Sequence, residues 1–428
     1  MTGSDYLLLE ILRHALIGQK YTGPETDDRK TAGEIIGRAR EQKVLPLVYD
    51  TAEDSGLFRS LDRRELKELK REALQEVTRQ LTQTTEFLVL LEKLQGEGLD
   101  PILVKGMACR TLYPIPCLRS SVDEDILVPD DSFSEYPERL TRHGMNLDIP
   151  YQEADREDEI SFHKKDSPLY IEIHKRLFPS DADAFNRFNT FFEKAGDRTD
   201  RMQVQGLQVR ILEPTDHFLY LILHAFKHFV YSGFGIRMVC DIAVYGHSYH
   251  SRINWQYIRD RLESVQAFDF TRAVCRIIDR YIFPDAAFLK DITEWSLEEI
   301  DEIPMLEDIM QGGLHGNTSI ARLHSGNITV HAVNYDQRGK GTGNSLLHTI
   351  FLPAKSLESR YVYLKKAPFL LPFAWGQRIV RFISEAGRGS NKNAVSDSLR
   401  LGNDRVQLLR HYHIIGSRAE RNKRAGSS

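Results

Sequence analysis

Apolar positions recur at helical spacing through the first hundred residues. Asp5 to Ile17 carries them on one face, and Thr31-Ala-Gly-Glu34 has the form of a capping box ahead of Ile35 and Ile36. From Leu61 to Leu94 a long amphipathic helix is predicted, with Leu66, Leu69, Leu74, Val77, Leu81 and Leu88 near a 3.6-residue period. Gly96 to Asp100 ends it. The pattern then changes. Pro101-Ile-Leu-Val-Lys-Gly106 is a short apolar strand, and Gly206 to Leu212 alternates as a strand does. Tyr170, Glu172 and His174 alternate with Ile171 and Ile173, giving one polar and one apolar face. Ser134–His143 and Asp183–Gly196 are helix-like, and acidic Asp148–Glu159 reads as a solvated loop. Pro214 and Asp216 open a second helical region. The expected organisation is a helical region at 1–99, an α/β core at 100–215, a mainly helical region at 216–385, and a polar basic, flexible tail at 386–428.

The candidate chemistry sits in the strand-rich part. Arg119-Ser-Ser-Val-Asp-Glu-Asp-Ile-Leu-Val128 places Asp123 and Asp125 two positions apart at the entrance to a run of β-formers. Alternate side chains of a strand leave on the same face, with Cα atoms roughly 7 Å apart, which suits a hard cation that takes oxygen ligands. Acids are depleted in strands, so the pair calls for a reason; a charged turn before a buried strand is the plainer one. Upstream, the strand ending in Lys105-Gly106 runs into Met107-Ala-Cys-Arg-Thr-Leu-Tyr113, a strand–glycine–helix order that presents backbone N–H groups to a phosphate. Glu172 can supply a third carboxylate from a neighbouring strand, or lie on a solvated face. Together these are the parts that hold a nucleoside triphosphate and its metals.

Composition narrows the class. With 428 residues and 41% hydrophobic content the chain can bury a large core. Net charge is −4 and the isoelectric point about 6.4, so no basic excess advertises nucleic-acid binding. Cys109, Cys117, Cys240 and Cys275 have neither metal nor redox spacing and suit a reducing cytoplasm. No basic n-region with a long apolar core opens the chain, so no signal peptide is expected, and no apolar run is long enough for a membrane span.

Other features are weaker. His224 and His228 share a helix face, a zinc-compatible spacing with no third ligand in view; a core or pocket role is the alternative. Arg237 and Asp241 stand four apart and can pair, or Arg237 can meet a triphosphate. Gly339-Lys-Gly-Thr-Gly343 lacks the phosphate-loop run. Ala367–Ile383 is amphipathic and suits a packed helix or a membrane surface.

The ordered set Lys105-Gly106, Leu112-Tyr113-Pro114-x-Pro116, Arg119 and Asp123-x-Asp125-Ile-Leu-Val128 resembles a poorly characterised bacterial nucleotidyltransferase family of the DNA polymerase β-type superfamily. Tyr170–His174, Asp216–Asp241 and Arg360–Arg378 look like the same family. The resemblance implies a small mixed-sheet nucleotidyltransferase core flanked by N-terminal and C-terminal helical regions. It implies that Asp123, Asp125 and Glu172 are catalytic and bind Mg2+ (or Mn2+), and that Gly106 sits in the phosphate turn. By their charge and placement, Lys105, Arg119, Lys227 and Arg237 are expected to contact the nucleotide beside Gly106. The expected reaction moves a nucleoside monophosphate from an NTP, ATP foremost, to a small-molecule, sugar, peptide or protein acceptor. A nucleotide-binding regulatory protein and a kinase-like phosphotransferase are the alternatives. The superfamily usually has Gly-Ser where this chain has Gly106-Met107, and an apolar residue where this chain has Glu124. Glu124 is expected to face away from the metals.

Overall fold

The computed structural model describes residues 1–23, 28–128, 131–150, 154, 157–231, 233–312, 320–337, 361, 363, 367–377 and 394–416. The segments Gly339–Gly343, Arg378–Ile383 and Arg418–Arg424 lie outside the described residues. Two compact units are formed, one of residues 1–225 and 235–314, the other of residues 226–234 and 315–428.

The first unit opens with helices α1 (Gly3–Leu16), α2 (Arg29–Glu41), α3 (Leu45–Ala52) and the long α4 (Arg63–Gly96). Helix α2 starts earlier than the capping-box pattern implies. The Asp28 carboxylate accepts from the backbone of Lys30 and Thr31 and from the Thr31 hydroxyl, so Asp28 is the cap. Glu34, expected to close a box with Thr31, accepts instead from the Ser4 hydroxyl at 2.6 Å. Helix α4 begins with a true capping box, Asp62 with Glu65.

The buried face of α4 differs from the predicted leucine stripe. Leu66, Leu74 and Leu81 are 36%, 51% and 46% exposed. The inward face carries Leu69, Ala73, Phe87, Leu91 and Leu94, with Gln80, Gln83 and Thr84 buried among them. Those three polar side chains have partners in the following α/β segment, which decides the rotation of the helix. Gln80 Oε1 accepts from the Ser121 amide at 2.7 Å, Gln83 Nε2 donates to Glu124 at 3.1 Å, and Thr84 Oγ1 accepts from Arg110 at 2.8 Å. A buried polar group is stable only when so paired.

The fold is mixed α/β, as expected. Seven strands form one sheet: β1 (Ile102–Leu103), β2 (Glu124–Leu127), β3 (Met145–Leu147), β4 (Glu159–Lys164), β5 (Tyr170–His174), β6 (Thr199–Val204) and β7 (Leu207–Leu212). Their spatial order is β3-β4-β5-β2-β1-β7-β6. The pairs β2–β5 and β1–β7 are parallel; β1–β2, β3–β4, β4–β5 and β6–β7 are antiparallel. Gln205 and Gly206, both at positive φ, make the tight β6–β7 hairpin. The expected loop Asp148–Glu159 ends differently: Glu159 is the first residue of β4. There Ile160 and Phe162 are buried, and the strand holds its place by that alternation. Ile126, Ile171, Ile173, Val209 and Ile211 join Phe87, Leu91 and Leu94 of α4 in the core. Two short helices, α5 (Gly106–Arg110) and α6 (Tyr136–Arg142), and α7 (Asp183–Asn186) connect strands.

Helix α8 (Pro214–Tyr231) starts in the first unit, and its last turns belong to the second. Helices α9 (Ile236–Tyr249), α10 (Trp255–Ser264), α11 (Phe268–Ile277) and α12 (Ile303–Gly312) complete the first unit. In the second, α13 (Ile320–Gln337) packs on α14 (Ala394–His411). Ile328, Ala332, Val333, Val406 and Leu409 are buried, and Gly402 leaves room for the Ile328 side chain. Helix α14 lies in a stretch whose polar composition predicts no element. Among the described residues of the amphipathic stretch, Ala374 is buried while Phe369 and Phe373 are exposed. No helix among the described residues is long and apolar enough to cross a membrane.

Candidate metal and phosphate site

The parallel pairing of β2 with β5 assembles the candidate site. In that register Asp125 stands opposite Glu172, and Leu127 opposite His174. The antiparallel pairing of β5 with β4 sets Glu159 opposite His174. One carboxylate each from Asp125 and Glu172 and one imidazole nitrogen of His174 lie within 4.8 Å of one another.

Asp125 is the centre of this group. Its Oδ1 accepts from Lys105 Nζ at 2.9 Å and lies 3.1 Å from His174 Nε2. Its Oδ2 is buried and has no hydrogen-bond partner among the described residues. His174 is held from both sides, with Nδ1 3.4 Å from Glu159 Oε2 and Nε2 4.0 Å from Glu172 Oε2. Asp123 precedes the strand and is half-buried. It is near enough to act on Lys105, Glu172 and Arg237.

The charges are mutually adjusted. Burial alone would raise the Asp125 pKa; the Lys105 ammonium, then His174, outweigh it and hold the carboxyl below the usual range. Burial would lower Lys105, yet Asp125 and then Asp123 hold it well above its ordinary value. Burial first, then the charges of Asp125, Asp123 and Glu159, push Glu172 up to about 8, and for it the pull of Lys105 is the smallest effect. Lys105 Nζ also lies 3.5 Å from His224 Nε2. Buried Tyr220 sits close enough to Lys105, Asp125 and Glu172 to feel their charges.

Behind the acids lie two arginines sharing one carboxylate. Arg119 donates to Asp241 from Nε at 3.1 Å and from Nη2 at 2.7 Å, and Tyr113 donates to the same carboxylate at 2.8 Å. Arg237 reaches Asp241 only at 3.7 Å. Arg119 Nη1 and Arg237 Nε are buried with no hydrogen-bond partner among the described residues. Burial and the like charge of Arg119 lower the Arg237 pKa, against Asp241 and Asp123. The i, i+4 pair of Arg237 with Asp241 is thus the looser contact; Asp241 belongs first to Arg119.

Gly106, the first residue of α5, adopts a positive φ of 39°. A side chain there would collide with Glu124. The backbone N–H of Met107 donates to Glu124 Oε2 at 2.9 Å, so that amide is already occupied. Glu124 points away from Asp125, into a buried ion pair with Arg110 completed by Gln83. Lys227 falls on the part of α8 that belongs to the second unit. Two residues of this constellation carried no assigned role in the sequence reading: His174, visible in the alternation of β5, and Glu159, hidden in a stretch read as loop.

No curated protein and no solved structure matches the chain. Residues 28–282 match the family described as uncharacterised nucleotidyltransferase, a span that holds the whole sheet, the acids of β2 and β5, and Arg119 and Arg237. That span is more than half of the sequence and stops short of the Arg360–Arg378 stretch. The chain belongs to the uncharacterised nucleotidyltransferase family.

Proposed function

We propose that the first unit is a divalent-cation-dependent nucleotidyltransferase that moves a nucleoside monophosphate from an NTP, ATP foremost, to an acceptor hydroxyl. The observation that carries this reading is Asp125 Oδ2, a buried carboxylate oxygen with no partner, beside Glu172 across one strand pair. Buried polar atoms are almost always satisfied, so an open one beside a second acid fits a missing cation. Asp123, Asp125 and Glu172 are the proposed holders. A bound Mg2+ or Mn2+ supplies charge neutralisation and in-line orientation of the triphosphate.

The protein's own part follows from the remaining groups. Lys105, 2.9 Å from Asp125, neutralises phosphate oxygens at the cluster's edge. Arg119 Nη1 and Arg237 Nε, two buried donors with no acceptor, suit an anion. Gly106 contributes by admitting Glu124 and so fixing the turn that carries Lys105. In the transfer, the acceptor oxygen bonds to the α-phosphorus, the bond to the bridging oxygen breaks, and pyrophosphate departs with the electron pair. Glu172 takes the acceptor proton when its carboxylate is ionised. The acceptor is a small molecule, sugar, peptide or protein.

The test is triphosphate binding and product analysis. Wild type binds ATP in a cation-dependent manner by calorimetry, and this dependence disappears with Asp123→Asn and Asp125→Asn combined. A mass shift of one nucleoside monophosphate on the acceptor, with pyrophosphate released, supports transfer; nucleoside diphosphate release makes the protein a kinase, and cation-independent binding in both proteins removes the site.

A further inference from the structure

We infer that His174 is itself a ligand of the cation, held in place by Glu159, and that the site is thereby selective for Mn2+ or a similar first-row transition cation over Mg2+. This deepens the metal-site reading above and rests on it. Three observations carry it. First, His174 Nε2 faces the acids, 3.1 Å from Asp125 Oδ1 and 4.0 Å from Glu172 Oε2, where a shared ion fits between them. Second, the other ring nitrogen is directed at a carboxylate, Glu159 Oε2 at 3.4 Å. A metal-bound imidazole almost always has its second nitrogen anchored in this way, which fixes tautomer and ring orientation. Third, Asp125 Oδ2 is buried without a partner, so the cluster lacks one positive group beyond Lys105.

The sheet makes the imidazole hard to remove from the site. Glu172 and His174 are two apart on β5 and share a face, and Glu159 is the cross-strand neighbour of His174 on β4. His174 is buried, between Leu127 of β2 and Glu159 of β4 in register. The imidazole thus joins Asp125 and Glu172 within one cluster, and with Asp123 the proposed donor set is three carboxylates and one imidazole. Mg2+ favours oxygen donors and near-ideal octahedral geometry, whereas imidazole raises affinity along the transition series.

The experiment is metal binding to the nucleotide-free protein, with MnCl2 and MgCl2 titrated separately by calorimetry. Pulsed electron paramagnetic resonance of bound Mn2+ reads nitrogen coupling directly. Wild type is expected to bind Mn2+ at least about tenfold tighter than Mg2+ and to show nitrogen coupling. His174→Gln loses the coupling and about tenfold or more of Mn2+ affinity, while Mg2+ affinity changes little. Glu159→Gln, whose side chain is half exposed and not a ligand, costs Mn2+ affinity about tenfold, the lower end for a ligand's orienting partner. Bound Mn2+ without nitrogen coupling, or the same Mn2+ preference in His174→Gln, overturns the inference. If Asp125→Asn still abolishes binding of both cations in that case, the metal-site reading survives. If wild type binds neither cation, both fall.

Discussion

Glu124 and Asp125 are consecutive buried acids on β2, and their surroundings are opposite in kind. Both Glu124 oxygens are partnered, which closes that side: Arg110, Gln83 and the Met107 amide donate to them, and Thr84 and Ser121 accept further Arg110 protons, leaving Arg110 Nε as the one guanidinium nitrogen of that pair without a partner among the described residues. Asp125 faces an open side, with Lys105 and His174 on a single oxygen and nothing on the other. The closed side has equal and opposite charges and every reason to stay as it is. On the open side, acids outnumber cations, and burial, then the charges of Asp125, Asp123 and Glu159, push Glu172 up to about 8. A carboxylate that is fully partnered in the absence of ligand serves the fold. One left incomplete a residue away is the proposed cation holder.

The sharpest way to break this comparison is to measure what each acid contributes to stability. Glu124→Gln leaves Arg110 charged and buried, so a loss of about 3–5 kcal/mol is expected in urea unfolding. Asp125→Asn removes one charge from a cluster with surplus acid, so its cost in the metal-free protein is under half of that, while cation-dependent triphosphate affinity collapses. Equal destabilisation by the two variants would erase the distinction.

Arg237 sharpens the comparison from the cationic side. Asp241 keeps its closer partner Arg119 when Arg237→Ala removes the looser one. The expected result is about a tenfold loss of triphosphate affinity, as for one charge-assisted contact, with a melting temperature close to wild type. A large fall in melting temperature with unchanged affinity would move Arg237 to the closed, structural side.

The smallest expected effect comes from His217, a buried imidazole outside both clusters, whose ring lies 4.6 Å from that of Tyr245. Burial holds it down at about 4. A base with a depressed native pKa stays neutral when folded but protonates when unfolded. Its contribution to stability is therefore full above about pH 6.5 and lost as pH falls towards 4. Between pH 7.5 and 5.5 the wild type should lose roughly 1 kcal/mol more than His217→Phe, read from paired unfolding curves. Identical pH profiles would show that His217 titrates normally.

Much of the fold is legible in local pattern, and the limits are instructive. The long helix α4, the strands carrying Asp125 and Glu172, and an α/β core follow from spacing, while the mixed sheet is what the resemblance implies. The strand expected to reach Gly106 ends at Leu103, ahead of Lys105. Which face of α4 turns inward does not follow from spacing, because Gln80, Gln83 and Thr84 are buried for partners some 26 to 41 residues away in sequence. Leucines at 66, 74 and 81 win on hydropathy and lose to those pairings. Strand β4 is a different case. Its alternation of Ile160 and Phe162 with polar neighbours was present in the sequence, masked by the acidic run before it, and with it went Glu159. The box-like spacing of Thr31 and Glu34 points to a later helix start than the one Asp28 caps.

The β2–β5 register gives the site a property that substitutions do not probe. Glu172 and His174 occupy even positions of an alternating strand whose odd positions, Ile171 and Ile173, fill the core. Inserting or deleting one residue within β5, ahead of Glu172, would exchange the two sets for the residues that follow, presenting isoleucine to Asp125 and burying an acid and an imidazole among apolar side chains. The chemistry is thus written in the parity of a strand. A length change in the turn before Tyr170 is absorbed there, because the buried isoleucines hold the register, whereas one inside the strand would invert the site at a stroke.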